Sequence, residues 1–573
     1  GSIPFRCSWV NYTPAVTYET VEQKFTVIHK TYETSNNTIF VTPNGSPDGD
    51  GTVEAPLDIY TAVNYVRPGQ TIILDGGIYK MTSGLKIPRG IDGTEENRII
   101  MTSMKGERAI LDFAGADGGF ELWGSYWHIY GIDICNTDGN VKGMQIAGHY
   151  NIIESVNAYN NGDTGIQISG SSTEPFEKWP SHNLILNCTS YNNCDPGHNN
   201  ADGFAAKLTV GEGNIFRGCI AYNNLDDGWD LYAKVETGPI GAVIIEDCVA
   251  YRNGTILDGS ASGEGNGFKL GGEGIPVKHV LRNSIAFAND NNGITSNSNP
   301  AVVVENTVSA FNGGSNYALY GRGTIERTFE AKNNISYKGG KPDNIELASL
   351  REDPSNYFDG QNINNEIVGD DWFVSVDINI APTRDASGSI DMKGLFKLTD
   401  NAPLALGTVV GPTPGYEVNN VQPVSRDIGN NGDSNVGDVG DDEGWNNEGI
   451  DGDGSNGESS PGDQDTPGDQ DVPNDQDIRN DEDTSNDGEG SPADEAIGED
   501  NSDDKDSLHE GHDSSDEHTT DDQQQSDTES ANKDKLVKTG SWMDIKLLLV
   551  VGTILLAVGS GLMLWQRKFM SCN

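Results

Sequence analysis

Three segments in the middle of the chain repeat one pattern: NIIESVNAYNN at residues 151–161, NLILNCTSYNN at residues 183–193 and NIFRGCIAYNN at residues 214–224. Each contains a short apolar run, a polar pair, a small residue and an aromatic residue. The pattern returns as VIIEDCVAYRN at residues 243–253, HVLRNSIAFAN at residues 279–289 and VVVENTVSAFN at residues 302–312. Repeats of this length, built on short strands, are typical of a solenoid in which each repeat forms one coil.

The aromatic residue of each repeat gives its period. Successive aromatic residues are 24 to 36 positions apart, so the insertions between strands vary in length. Glycine accounts for 71 of the 573 residues, which favours a β protein rich in turns. We therefore predict an all-β fold, a right-handed parallel β-helix over residues 38–426 with coils about 4.8 Å apart. The aromatic residues are Tyr159, Tyr191, Tyr222, Tyr251, Phe287, Phe311 and Tyr337.

Two further columns of the repeat support this fold. Cys188, Cys219 and Cys248 stand three positions before the aromatic residue, with Val156 and Val308 in the flanking repeats. This pattern predicts a buried row of small apolar groups rather than a redox site. Asparagines stand two positions after the aromatic residue and predict a ladder inside a turn. They are Asn161, Asn193, Asn224, Asn253 and Asn289.

The charge of the chain is strongly acidic and uneven. Lys and Arg number 37 against 88 Asp and Glu, a net charge of −51, which argues against a nucleic-acid partner. Residues 427–535 hold 37 acidic and 4 basic residues, net −33, which leaves −18 for the other 464 residues. This segment has too few apolar residues to form a core, so we predict a disordered acidic linker that acts as a spacer.

The sequence of residues 536–573 predicts a segment that anchors the protein to the cell surface. The sequence LVKTG at residues 536–540 resembles the Leu-Pro-x-Thr-Gly sorting signal of Gram-positive surface proteins, with Val537 in place of proline. The apolar residues 545–565 are long enough for a transmembrane helix, and Gln566-Arg567-Lys568 follow as a basic stop. We expect an extracellular monomer, anchored to a Gram-positive cell wall by a sortase acting at Thr539-Gly540, or held in the membrane by this helix.

Residues 1–37 are rich in threonine. Their sequence leaves open whether they form an extended arm or the remnant of another domain.

A second short segment follows the aromatic residue in the middle repeats. It is aligned on a glycine and reads TGIQI at Gly165, DGFAA at Gly203, DGWDL at Gly228, NGFKL at Gly267 and NGITS at Gly293. Because coils stack in register, each position of this segment becomes a row in space. The row before the glycine contains Thr164, Asp202, Asp227, Asn266 and Asn292. The row two positions after the glycine contains Gln167, Ala205, Asp230, Lys269 and Thr295.

These rows predict a cluster of carboxylates on two adjacent coils: Asp202, Asp226, Asp227 and Asp230, with Lys269 on the next coil beside Asp230. Such carboxylates repel one another unless a cation lies among them. Oxygen donors in this number suit Ca²⁺, which takes about 6–8 of them, and no His or Cys is present to favour zinc. Beside bound Ca²⁺ the pKa of Lys269 would fall below its ordinary value of about 10.4, and the amine could then act as a general base.

The stretches NNADGFAAKL, YNNLDDGWDLYAK and GNGFKLGG carry these residues. They resemble the pectate lyases of polysaccharide lyase family 9, and the resemblance extends over most of residues 38–426. It implies a parallel β-helix that cleaves polygalacturonate by β-elimination with calcium. It further implies Asp202, Asp226, Asp227 and Asp230 as calcium ligands and Lys269 as the base.

The resemblance also implies the course of the reaction. Calcium would bridge the enzyme and the uronate carboxylate and acidify the proton at C5. Lys269 would remove that proton, and the C4–O bond would break to leave an unsaturated uronide.

Three alternatives stay open at this point. A polygalacturonase-like hydrolase would need an acid and base pair of carboxylates and no metal, and the Gly-His-Gly and Arg-Ile-Lys elements of that family are absent. A surface protein could bind glycans without chemistry, although Lys269 beside a full set of aspartates argues against this. A lyase could act on another uronate polymer, such as rhamnogalacturonan.

Overall fold

The computed structural model describes residues 30–32, 34–403, 410, 411, 413, 415 and 416, all within the unit Gly1–Val439. The segments predicted as linker and anchor, residues 427–573, lie outside the described residues, as does nearly all of the arm at residues 1–37. None of the helices in the described part has the length and apolar character needed to cross a membrane. The anchor therefore stays a prediction.

Short strands stack into three long parallel sheets, and the chain visits the sheets in turn. The first sheet has eleven strands: Thr38–Val41, Thr71–Leu74, Ile99–Ser103, Trp127–Tyr130, Ile152–Glu154, Leu184–Leu186, Asn214–Arg217, Val243–Glu246, Val280–Arg282, Val303–Glu305 and Glu330–Lys332. The second has ten: Gly77–Lys80, Ala109–Asp112, Ile132–Cys135, Asn157–Tyr159, Thr189–Tyr191, Ile220–Tyr222, Val249–Tyr251, Ile285–Phe287, Val308–Ala310 and Ile335–Tyr337. The third has ten: Leu85–Ile87, Phe120–Leu122, Met144–Ile146, Ile166–Ile168, Phe204–Ala206, Trp229–Asp230, Phe268–Lys269, Ile294–Thr295, Tyr317–Leu319 and Asn344–Ile345.

The predicted fold, a right-handed parallel β-helix, is confirmed. Crossover connections between parallel strands take this hand almost without exception. The remaining elements are short. They are the α-helices Ile59–Tyr65 and Ala348–Glu352, the 3₁₀ turns Ser35–Asn37, Phe176–Lys178, Phe358–Gly360 and Asp370–Trp372, and the antiparallel pair Thr383–Arg384 and Ile390–Asp391.

The interior of the coil is filled by stacked apolar side chains. Phe204, Trp229 and Phe268 come from successive strands of the third sheet, and their ring centroids are 4.8 Å apart at each step. All three are fully buried. Since each ring packs on the ring of the next coil, the core fixes the register along the whole stack.

The asparagine ladder is confirmed. Asn224 Nδ2 donates to Asn253 Oδ1 at 3.0 Å, and Asn253 Nδ2 donates to Asn289 Oδ1 at 2.9 Å. The same Oδ1 atoms accept backbone N–H groups of the preceding coil, so the ladder satisfies donors that the turn would otherwise bury unpaired. The cysteine row is confirmed as well. Cys188, Cys219 and Cys248 are free and buried, and burial raises the pKa of the Cys188 and Cys219 thiols well above the usual range.

The predicted alignment of the sixth repeat is wrong by one residue. Ala310, not Phe311, lies opposite Phe287, and Thr307, not Val308, continues the cysteine row. The connection between the first and second sheets has a fixed length: Val280 and Phe287 are seven residues apart, and so are Val303 and Ala310. Phe311 therefore falls in the following turn with a φ of 55°.

The structure contains a second asparagine row that was not predicted from the sequence. Asn183 Oδ1 accepts the backbone N–H of Asn151, and Asn214 Oδ1 accepts that of Asn183. Two coils later, His279 Nδ1 accepts the N–H of Val243 at 3.1 Å. The signal was present, because each of the first three repeats begins with asparagine and the fifth with histidine.

The residues after the last coil fold back along the outside of the stack. Trp372, Phe373 and Phe396 form an apolar cluster on the outer face of the second sheet, against Tyr251 and Phe287. Further on, Thr413 and Asn187 exchange hydrogen bonds, with Thr413 Oγ1 to Asn187 Oδ1 at 2.6 Å and Asn187 Nδ2 to the Thr413 carbonyl at 2.9 Å. The tail is thus part of the folded body as far as the described residues extend.

Candidate functional site

Glycine places the acidic residues of the third sheet. A Cβ atom on Gly228 would lie 2.5 Å from the carbonyl oxygen of Gly267 and 2.8 Å from Asn253 Nδ2. Gly203 is equally tight, with Asn224 Nδ2 at 2.7 Å. Only glycine lets the chain pass this close to the asparagine ladder. The residue before each glycine is therefore delivered to a fixed place at the start of a strand.

Strand pairing places the predicted rows as expected. Ala205 lies opposite Asp230, Asp230 opposite Lys269, and Lys269 opposite Thr295. Gln167 precedes them on the previous coil, opposite Ala205. The structure thus brings Lys269 beside Asp230, as the sequence predicts.

Three of the four predicted aspartates converge. One carboxylate oxygen from each of Asp202, Asp226 and Asp227 lies within 4.8 Å of the others, and all three side chains are buried. Asp230 is also buried and lies on the same coil as Asp227, outside this tightest group. Together the four residues form an acidic cluster of oxygen donors that could hold a metal ion.

Part of the cluster's hydrogen-bonding capacity is already used. Asp227 Oδ1 accepts the backbone N–H and the side-chain amide of Asn266 at 2.8 and 2.9 Å. Asp226 Oδ1 accepts the N–H of Glu264 at 2.7 Å. Among the described residues, Asp227 Oδ2 and Asp230 Oδ1 have no hydrogen-bond partner. Buried carboxylate oxygens without a donor are costly, which is the condition that a bound cation relieves.

Lys269 projects into the same site. Its Nζ atom lies 3.2 Å from Asp227 Oδ2 and 2.9 Å from Glu264 Oε2. It also lies 5.7 Å from the centroid of the Tyr232 ring. The lysine is buried, so it belongs to the cluster rather than to the solvated surface.

Two charged residues of the site, Lys207 and Glu264, were not predicted from the sequence. Lys207 Nζ lies 2.8 Å from Asp202 Oδ2 and 3.2 Å from Asp230 Oδ2. Side chains alternate along a strand, so Lys207, two positions after Ala205, faces the same way, and this signal could have found it. Glu264 comes from the insertion between coils, and no periodic signal marks it.

A loop before Asp202 is held by another buried carboxylate. Asp195 Oδ1 accepts the backbone N–H groups of Asn199, Asn200 and Ala201 at 3.0 to 3.1 Å. This fixes the approach of the chain to the acidic cluster.

Burial and mutual repulsion perturb the carboxylates. Burial is the largest cause in each case, and it raises the pKa of Asp202 to about 8, of Asp226 to about 9 and of Asp227 to about 6. Burial alone would lower the pKa of Lys269, but the surrounding carboxylates, Asp230 first, raise it well above the usual range. The sequence predicts a lowered pKa for Lys269 only when Ca²⁺ is bound beside it, so that expectation stays a prediction.

The fold and the site define a class, the right-handed parallel β-helix proteins that carry an acidic site on the face of one sheet. Residues 39–334 match a family model described as the Pel9A-like, right-handed beta helix region. The chain belongs to this family, which confirms the resemblance stated from the sequence.

Known proteins that are similar to this chain support its assignment to this family. A pectate lyase L of Thermoclostridium stercorarium is 48% identical over 346 residues, which cover 60% of this chain but only 28% of that protein. A pectate lyase L of Paenibacillus polymyxa is 40% identical over 380 residues, covering 64% of this chain and 82% of that protein. The crystal structure of pectate lyase Pel9A is 30% identical with a TM-score of 0.54, covering 64% of this chain and 90% of that one.

Proposed function

We propose that this chain is a pectate lyase that cleaves polygalacturonate by β-elimination with the help of Ca²⁺. The observation that carries the proposal is the convergence of three buried aspartates, Asp202, Asp226 and Asp227, with the buried Lys269 beside Asp227. The names of the relatives, pectate lyase L and pectate lyase Pel9A, support the same reaction class. The relatives and the β-helix fold support a polysaccharide lyase.

Calcium is the cation that suits the donor set. Asp202, Asp226, Asp227 and Asp230 would hold it through carboxylate oxygens, the hard donors that Ca²⁺ prefers. The fit rests on the carboxylate oxygens of Asp202, Asp226 and Asp227, which lie within 4.8 Å of one another, and on the buried Asp230 Oδ1, which has no hydrogen-bond partner among the described residues. When bound, the cation would neutralise the uronate carboxylate, acidify the adjacent C–H and weaken the attraction that keeps Lys269 protonated.

The protein's own residues would perform the proton transfer. Lys269 Nζ lies 3.2 Å from Asp227 Oδ2, so it could take the C5 proton of a uronate bound at the cluster once the negative charge of the cluster is neutralised. Glu264 Oε2 and the Tyr232 ring border the amine and restrict its position. A lysine suits this task better than an arginine because its amine can lose a proton when its surroundings change. The electron pair of the C5–H bond then forms a C4–C5 double bond, the C4–O bond breaks to leave an unsaturated uronide, and the departing oxygen takes a proton from water.

The test is the ultraviolet absorbance of the unsaturated product, measured with the full chain and polygalacturonate, first with calcium and then with a chelator. We expect a rise that requires calcium. Asp227→Asn should abolish the rise, whereas Asp258→Asn, a change at an exposed loop aspartate, should leave it unaltered.

Two other outcomes would contradict the proposal. New reducing ends without absorbance would indicate a hydrolase. Neither signal on polygalacturonate, on methyl-esterified pectin or on rhamnogalacturonan would indicate a glycan-binding protein.

We also propose that the enzyme works at the outer face of a Gram-positive cell. The support is sequence alone: the acidic segment at residues 427–535 and the sorting-like and apolar segments at residues 536–573. Cell fractionation tests this proposal. Recovery of the protein in the wall or membrane fraction is expected, and release into the medium would contradict it.

A further inference from the structure

One ammonium group occupies the interior of the acidic cluster. Lys207 Nζ lies between two carboxylates of adjacent coils, 2.8 Å from Asp202 Oδ2 and 3.2 Å from Asp230 Oδ2. Only 12% of the lysine side chain is exposed, against 0% of Asp202 and 6% of Asp230. The lysine therefore forms a buried bridge rather than a surface ion pair.

The position of Lys207 differs from that of Lys269. Lys269 lies at the far edge of the cluster, against Asp227 and Glu264. Lys207 contacts Asp202 and Asp230, two aspartates with which Lys269 forms no ion pair, and both are proposed ligands of the cation. The two lysines thus pair with three of the four aspartates, and each reduces the negative charge available to a metal ion.

A substrate-binding role fits Lys207 less well. A lysine that recognises an acidic polymer must present its ammonium group to solvent. The Lys207 ammonium instead takes a direct hydrogen bond to each of two buried carboxylates.

We propose that Lys207 is a built-in counter-ion, which holds Asp202 and Asp230 together when no cation is bound and opposes binding of the cation. The inference rests on the proposed function, because it assigns these aspartates to a calcium site. Lys207 is in this sense a positioning residue that sets the calcium affinity of the site. Before the metal binds, it offsets the charge of two buried aspartates that would otherwise destabilise the folded chain.

Calcium binding to the full chain tests the proposal directly, by isothermal titration with CaCl₂. Lys207→Met removes the charge and leaves an unbranched side chain one atom shorter. Since like charges a few ångströms apart repel strongly inside a protein, we expect this variant to bind Ca²⁺ about tenfold more tightly, or more. With a chelator present, this variant should melt at a lower temperature than the unaltered chain. Calcium should raise the melting temperature of the variant by more than it raises that of the unaltered chain.

Two variants serve as controls. Lys338→Met removes another lysine paired with an aspartate, since Lys338 Nζ lies 3.0 Å from Asp370 Oδ1, and it should leave calcium affinity unchanged. Asp227→Asn supplies the background binding from the other acidic residues. If Lys207→Met does not fold without calcium, Lys207→Gln, which retains a hydrogen-bond donor, takes its place in the titration.

The outcomes separate this inference from the proposed function. Unchanged or weaker calcium binding by Lys207→Met would overturn the counter-ion role and leave the lyase proposal intact. No binding above the Asp227→Asn background by any chain would overturn the calcium site itself, and the inference with it.

Discussion

Lys269 shows how a single residue gains its chemistry from its neighbours. It stands on the same sheet row as Asp230 and at the edge of a buried acidic cluster. An ordinary surface lysine stays protonated near neutral pH, whereas one whose partners can be neutralised by a cation becomes a conditional base. The role of Lys269 therefore depends on the charge state of the aspartates.

Lys269→Ala is expected to lower kcat by roughly 10³-fold, within the usual range for loss of a general base, and to leave calcium binding in place. The measurement is initial rate by product absorbance, together with a calcium titration. Lys278→Ala is the control, since Lys278 forms an exposed ion pair with Glu330. Normal turnover by Lys269→Ala would remove this residue from the reaction.

His279 gives the β-helix a weakness in acid. Its imidazole is fully buried, Nε2 has no partner among the described residues, and burial lowers its pKa to about 3. A group whose pKa is lower in the folded state contributes stability above its unfolded pKa of about 6.5, and this stability is lost as the pH falls. At pH 5 the loss from this residue is about 2 kcal/mol.

His279→Asn should reduce this acid sensitivity. Asparagine has the acceptor that the N–H of Val243 needs, as Asn183 and Asn214 show in the same row. Denaturant unfolding at pH 7 and pH 5 measures the effect. The variant should lose about 2 kcal/mol less than the unaltered chain between the two values. An equal loss in both chains would show that His279 does not control the acid response.

At the scale of the structural element, the asparagine ladder both stabilises the turns and positions the acidic cluster. Asn253 accepts two hydrogen bonds from Asn224 and donates to Asn289. Its amide also contacts the space that Gly228 must leave open. The ladder thereby sets where Asp227 emerges.

Asn253→Ala should lower the free energy of unfolding by about 2 to 4 kcal/mol, because it leaves buried donors on Asn224 without an acceptor. Calcium affinity should fall as well, since the turn that carries Asp227 loses its support. Asn64→Ala is the control, because Asn64 is exposed on a short helix. Thermal unfolding and calcium titration give both readouts, and an unaltered calcium affinity would separate the ladder from the site.

The element scale also shows why sequence reasoning succeeded where it did. In a stacked coil a position in the repeat becomes a position in space, so the rows of Asp202, Asp227 and Lys269 could be predicted without coordinates. Phe311 was misplaced because the aromatic signal was followed in place of the fixed spacing between sheets. The asparagine ladder indicates the correct alignment of the sixth repeat. Asn312 stands two positions after Ala310, and its Oδ1 accepts hydrogen bonds from Asn289.

Glu264 could not have been predicted by this reasoning. It lies in an insertion whose length varies between coils, so no column contains it. Contacts made by such insertions depend on three-dimensional packing rather than on repeat position.

At the scale of the whole molecule, the tail after the last coil joins distant coils. Gly411, Thr413 and Tyr416 make hydrogen bonds to Asp247, Asn187 and Glu154 respectively. These partners belong to or directly follow the eighth, sixth and fifth strands of the first sheet. The tail therefore crosses several coils from outside.

A chain that ends at residue 403 should be less stable than one that ends at residue 416 by about 3 kcal/mol, the contribution of a few hydrogen bonds. Denaturant unfolding of the two chains measures the difference. Equal stability would show that these contacts do not contribute to the stability of the coil.

The placement of the acidic cluster on the fifth, sixth and seventh of the ten strands in the third sheet has a consequence for damage tolerance. A solenoid frays from its ends, because each coil is supported mainly by its two neighbours. Four strands must unfold from the N-terminal end of this sheet, or three from its C-terminal end, before unfolding reaches a strand that carries the cluster. Heat or proteases that erode the ends of the solenoid would therefore leave the acidic cluster intact until three or more terminal coils have unfolded.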